Sequence, residues 1–92
     1  MLNVIRPGGD YSNITSGATT QVKSGEGILK KIVINTGCTG TIKVIDNTSG
    51  STANIATITN PSAGQNYEYF LDFLTGLRII TSATCDITVI YE

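Results

Sequence analysis

Turn-forming residues cut this chain into pieces too short for most folds. Gly8-Gly9, Gly17, Gly25, Gly37, Gly40, Gly50, Pro61, Gly64 and Gly76 punctuate it, leaving short runs at spacings of about 8–12 residues, as in sandwiches and barrels. Ile and Thr are the commonest residue types in those runs, and β-branched side chains suit a pleated, half-buried surface. Helical spacing is not sustained anywhere. In "FLDFLTGL", Phe70, Phe73, Leu74 and Leu77 could form one turn of helix, but Thr75-Gly76 favours a bend. The expected fold is all-β: an antiparallel β-sandwich, jelly-roll-like, with about seven to eight short strands. Periodicity alone does not separate a jelly roll from an immunoglobulin-like sandwich.

The strands read as follows. "ATTQVKS" (18–24) is the first clear one, and "GILKKIVINT" (27–36) is the most apolar. In the second, strict alternation sets Ile28, Ile32 and Ile34 on one face and Leu29 and Val33 on the other, so one face would meet the core and the other a partner. "TGTIKVIDN" (39–47) turns Ile42 and Val44 inward and Lys43 outward, and "NIATIT" (54–59) follows. "NYEYFLDF" (66–73) sets Tyr67, Tyr69, Leu71 and Phe73 against Glu68, Phe70 and Asp72. "GLRIITS" (76–82) and "CDITVIYE" (85–92) end the chain, the latter with Ile87, Val89 and Tyr91 on one side. Residues 1–10 have a different texture, an alternating "LNVI" and then Arg6-Pro-Gly-Gly. They read as an arm ordered by a partner, preceding a sandwich domain over 11–92, or else as a first edge strand.

With 92 residues, 14% of them charged, and a net charge of −1, the chain makes one small domain with an unusually neutral skin. Typical domains are about 25% charged, and small ones gain by self-association or covalent staples. The six cations, Arg6, Lys23, Lys30, Lys31, Lys43 and Arg78, are scattered, so nucleic acid is not an expected partner. No run reaches the eighteen or so apolar residues of a membrane helix, and the first ten residues lack the core of a secretory signal. The expectation is a chain made and assembled in the cytoplasm.

Catalytic groups are sparse. Histidine is absent, so Ser-His and Cys-His mechanisms have no base, and two cysteines cannot complete a zinc site. Glu68 and Asp72 share a strand face at roughly 13 Å, wider than a glycosidase pair at about 5–9.5 Å. No phosphate-binding glycine motif occurs. The chain reads as a non-enzyme with no cofactor, no metal and no catalytic residue.

"DNTSG" (46–50) offers a row of oxygens but one carboxylate, Asp46, and no closing Glu, unlike a calcium loop. Its Asx and Ser side chains followed by Gly are turn chemistry, and a connection between strands is the preferred reading. The sequons at Asn13 and Asn47 are ascribed to chance. Tyr67, Tyr69 and Phe73 could make a sugar platform, but read better as the core face of a strand. Cys38 and Cys85 each precede a strand. Neighbouring antiparallel strands start at opposite ends, so the two would meet only across the sandwich or on next-nearest strands. A cytoplasmic origin favours free, buried thiols. Were they bonded, the long loop would contribute roughly 4 kcal/mol.

The phrases "T-x-V-K-S-G-x-G-x-L", "I-x-I-N-T", "V-x-D-N-T-S" with "I-A-T-I" beyond it, "G-L-x-I-x-T-S" and a final "D-I-T-V-x-Y" run in this order from 20 to 91. In that order the chain resembles small all-β virion structural proteins of tailed bacteriophages. The resemblance implies a head decoration or cement protein that bridges major capsid protein subunits on the capsid surface, commonly as a trimer. A tail or fibre component is the alternative within the same particle. The cysteines and "LKK" have no counterpart reason in that family. Leu2, Val4, Ile5 and Arg6 are the candidate partner-binding residues, through strand addition of the arm. From a different class, the rival is a carbohydrate-binding module centred on 67–73.

Overall fold

The computed structural model describes residues 8–92. The candidate arm residues Leu2, Val4, Ile5 and Arg6 lie outside them. Among the described residues there is no helix, and the strands are β1 (Asp10–Ile14), β2 (Thr19–Ser24), β3 (Gly27–Thr36), β4 (Thr41–Ile45), β5 (Asn54–Thr59), β6 (Asn66–Phe73), β7 (Gly76–Thr81) and β8 (Asp86–Tyr91). Leu74-Thr75 is a bend, as Thr75-Gly76 suggested.

The pairs β1–β8, β2–β7, β3–β6 and β4–β5 nest like the rungs of one long hairpin whose tip is the β4–β5 loop. Rolling that hairpin up adds β3–β8 and β4–β7. Two four-stranded antiparallel sheets result, β1-β8-β3-β6 and β2-β7-β4-β5, which is jelly-roll order. Every connection except β4–β5 therefore crosses from one sheet to the other. The tightest crossings are two residues long, Gly25-Glu26 and Leu74-Thr75, and they brace each other through Gly25 N–H to Thr75 C=O at 2.8 Å.

Alternate residues of the strands fill the space between the sheets. Leu29, Ile32 and Ile34 of β3 meet Ile42 and Val44 of β4, Leu77 and Ile79 of β7, and Ile87 and Val89 of β8, all at most 1% exposed. Phe73 closes one end of the core at 0% exposure. Burying such a side chain contributes about 1.5–3 kcal/mol. Gly27 admits no side chain because a Cβ there would run into the Glu92 carbonyl and Phe73.

Alternation fails in β3, and the register shows why. Between the rows Tyr91–Leu29–Leu71 and Ile90–Lys31–Glu68, β8 inserts no residue, β3 inserts Lys30, and β6 inserts Tyr69 and Phe70. One inserted residue reverses the side-chain phase, whereas two restore it. Leu29, Ile32 and Ile34 therefore share the core face, while Ile28 is 37% exposed, contrary to the strict alternation that grouped it with Ile32 and Ile34. Lys30, the inserted residue, and Lys31 both fall between the inward Leu29 and Ile32, and Lys30 Nζ is 3.2 Å from the Glu92 carboxylate. In β6 the expected faces hold, with Phe73 buried and Glu68, Phe70 and Asp72 exposed.

Asp10–Ile14, which straddles the expected boundary between the arm and the sandwich domain, is an edge strand on β8, with Ile14 5% exposed. Cys38 and Cys85, expected as free thiols, are joined by a disulfide with a Cα–Cα distance of 5.2 Å. The contact is the across-the-sandwich case. Because β3 lies beside β8 and β4 beside β7, the β3–β4 and β7–β8 loops cross between the sheets at the same end.

Candidate interaction face

The sheet β1-β8-β3-β6 turns a mixed outer surface to solvent. Cross-strand register aligns Tyr11, Ile90, Lys31 and Glu68 in one row and Asn13, Thr88, Val33 and Asn66 in the next. The rows differ in chemistry. Near the disulfide end, Asn13 Nδ2 donates to Asp86 Oδ1 at 2.7 Å and to the Ile87 carbonyl at 2.9 Å. Asn35 Nδ2 donates to the same Asp86 oxygen at 3.1 Å and to Thr88 Oγ1 at 3.0 Å. Donation from Asn13, and secondarily from Asn35, lowers the Asp86 pKa below the ordinary 3.8.

Toward the other end the surface becomes apolar. Tyr11 (74% exposed), Phe70 (66%) and Ile28 stand on the outer face, and Leu74 (75%) projects from the corner after β6. Lys31 faces Glu68 across the strands, a pairing that balances charge within the face. A shallow depression of about 230 Å³ lies between Ile28 and Leu74, floored by Gly27 and Phe73 and edged by Glu26 and Asp72. Lys23 Nζ sits 6.0 Å from the centre of the Phe73 ring.

Phe70 is exposed and also in the left-handed region, at φ 47°. That conformation costs a bulky residue of order 1–3 kcal/mol and persists only where neighbours impose it. Here the two-residue insertion against Lys30 imposes it. The sequence placed Phe70 beside Glu68 and Asp72 on a charged face. An aromatic in that company was the available signal of an exposed anchor.

The corner below this apolar end is built on Asp46. Its carboxylate accepts from the successive backbone N–H groups of Leu74 (2.9 and 3.1 Å), Thr75 (2.8 Å) and Gly76 (3.3 Å). Donation from the Leu74 N–H is the largest influence on its pKa, and with Thr75 and Gly76 it outweighs desolvation and lowers that pKa below 3.8. "DNTSG" is thus the β4–β5 connection, and its carboxylate is committed to the β6–β7 bend. The loop is also tied inward. Arg78 donates to the carbonyls of Gly50 (3.1 Å) and Thr48 (3.4 Å) and to Gln21 Oε1 (3.0 Å), while Gln21 Nε2 donates to Asn47 C=O at 2.9 Å. Ile45, paired with Arg78, is 0% exposed yet outside the main core cluster.

The aromatic strand does not make an outward platform from the residues first considered. Phe73 is buried, and Tyr67 and Tyr69 are half-buried against the core. Desolvation, with a smaller repulsion from Tyr67, raises the Tyr69 pKa above its ordinary value. Among the described residues no group of three or more Cys, Asp or Glu side chains is arranged to hold a metal ion.

No protein-family model matches this chain, and no curated protein or solved structure is significantly similar to it.

Proposed function

We propose that this protein is a non-enzymatic structural component of a phage particle, a cement protein on the capsid surface that docks on the major capsid protein. The observation that carries this reading is the outer surface of the β1-β8-β3-β6 sheet. Tyr11, Ile28, Phe70 and Leu74 gather exposed apolar area at one end of it, where Lys31 stands opposite Glu68 in the register and Lys30 pairs with Glu92. Aromatic anchors with little net charge around them are the usual core of a protein–protein contact. A small, weakly charged jelly roll gains stability from such contacts, and many copies on one shell multiply a modest affinity. The order of sequence phrases resembling phage virion proteins supports the same reading.

The test is copy number. Quantitative mass spectrometry of purified source particles should find this chain within a few-fold of the major capsid protein. A trace ratio would move it to a tail or fibre, and absence would end the reading. Removing the anchors, by Tyr11→Ser with Phe70→Ser, should release folded protein from particles.

A further inference from the structure

We propose that the Cys38–Cys85 bond is a redox-set lock on the closure of the roll, added after the chain has folded. This inference stands apart from the virion reading. Four of the strand pairings are rungs of the long hairpin, and β3–β8 and β4–β7 are the two that close it. The bonded loops are the ones that link the sheets next to those two pairings. A covalent tie here constrains closure itself.

The backbone at this end is positioned by other contacts. Cys38 N–H donates to the Pro61 carbonyl at 3.2 Å, Thr41 N–H to Ser82 Oγ at 2.8 Å, and Ser82 N–H to the Thr41 carbonyl at 3.0 Å. Gly37 is packed so tightly that a Cβ would strike the Pro61 carbonyl. With the Cα atoms held 5.2 Å apart, within disulfide range, a folded dithiol chain keeps both sulfurs in reach. Access is unequal, because Cys85 is 4% exposed and Cys38 only half-buried. Exchange therefore begins at Cys38.

The step balances with a small-molecule disulfide as oxidant. The Cys38 thiolate attacks one sulfur of the reagent and expels one thiolate. The Cys85 thiolate then attacks Cys38 Sγ and expels the second. Two protein thiols lose two protons and two electrons, and the reagent leaves as two thiols. A dithiol reverses the sequence. A reducing compartment thus holds the chain in its compliant form, and an oxidising one sets the lock.

The experiment compares the oxidised chain, the chain reduced with dithiothreitol, and the Cys38→Ser/Cys85→Ser variant by circular dichroism, thermal melting and thiol counting. Both unbonded forms should keep the β spectrum and a cooperative melt, with Tm lower by about 16–32 °C. Oxidised glutathione should restore the reduced wild type to the higher Tm as a monomer, releasing two thiols per chain. Loss of β structure on reduction of the wild type would overturn the proposal, since the bond would then be needed for folding. An unchanged Tm, or glutathione retained on Cys38, would also overturn it.

Discussion

Replacing Asp46 with Ala tests whether one carboxylate holds a corner of this fold. The side chain accepts from three consecutive N–H groups, of which Thr75 at 2.8 Å and Leu74 at 2.9 Å are short, while Gly76 at 3.3 Å is marginal. A hydrogen bond to a charged group contributes about 1.5–3 kcal/mol when buried. Asp46 is only half-buried, so solvent screening pushes each short bond to or below the low end of that range. Their sum is about 2 kcal/mol. A chain of 92 residues has a total stability of roughly 5–14 kcal/mol, so this is a large fraction. Tm should fall by about 8–16 °C. Asp46→Asn keeps one carbonyl acceptor without charge and should lose about half as much.

The pH dependence gives a sharper check. Because the folded-state pKa of Asp46 is lowered from 3.8, its stabilisation is fully present above that value and is lost as pH falls through the folded-state pKa. Urea unfolding at pH 7 should therefore separate wild type from Asp46→Ala by the full amount, and the two should converge toward pH 2. A difference under about 0.5 kcal/mol at pH 7, or one that does not shrink in acid, would refute the corner argument.

Other outcomes follow from neighbouring residues. Phe70→Asn should raise stability by about 0.5–1 kcal/mol in thermal melts, since Asn tolerates the positive φ at that position, while weakening particle binding. Gly27→Ala should destabilise by about 1–3 kcal/mol in urea titrations, because its Cβ meets the Glu92 carbonyl and Phe73. Arg78→Met should remove the hydrogen bonds that hold the Thr48 and Gly50 carbonyls of the β4–β5 loop, seen as faster amide exchange over 46–53 with the core amides unchanged.

Much of this fold is legible in local chemistry. Gly27–Thr36, Asn54–Thr59 and Asn66–Phe73 have the bounds their alternation and breakers implied. The inward sets of β4, β6 and β8 also follow from period two. "DNTSG" was readable as a connection because Asx, Ser and Gly act within their own few residues. The candidate site was far less legible. Phe70 and Tyr11 belong to one candidate face, and that face exists only once β1, β8, β3 and β6 lie side by side.

Tertiary structure decided whatever depends on neighbours distant in the chain. The bulge at Lys30 is defined against β8 and β6, so nothing in "LKK" alone announces that Ile28 will face solvent. Asp46 found its donors 28 to 30 residues away, and Cys38 its partner 47 away. Local chemistry is enough for an all-β chain of short strands, because turn and strand preferences act over a few residues. Which strands became neighbours was set by how the long hairpin rolled, and rolling is governed by burying both inner faces at once. That is a property of the whole chain and of no segment within it.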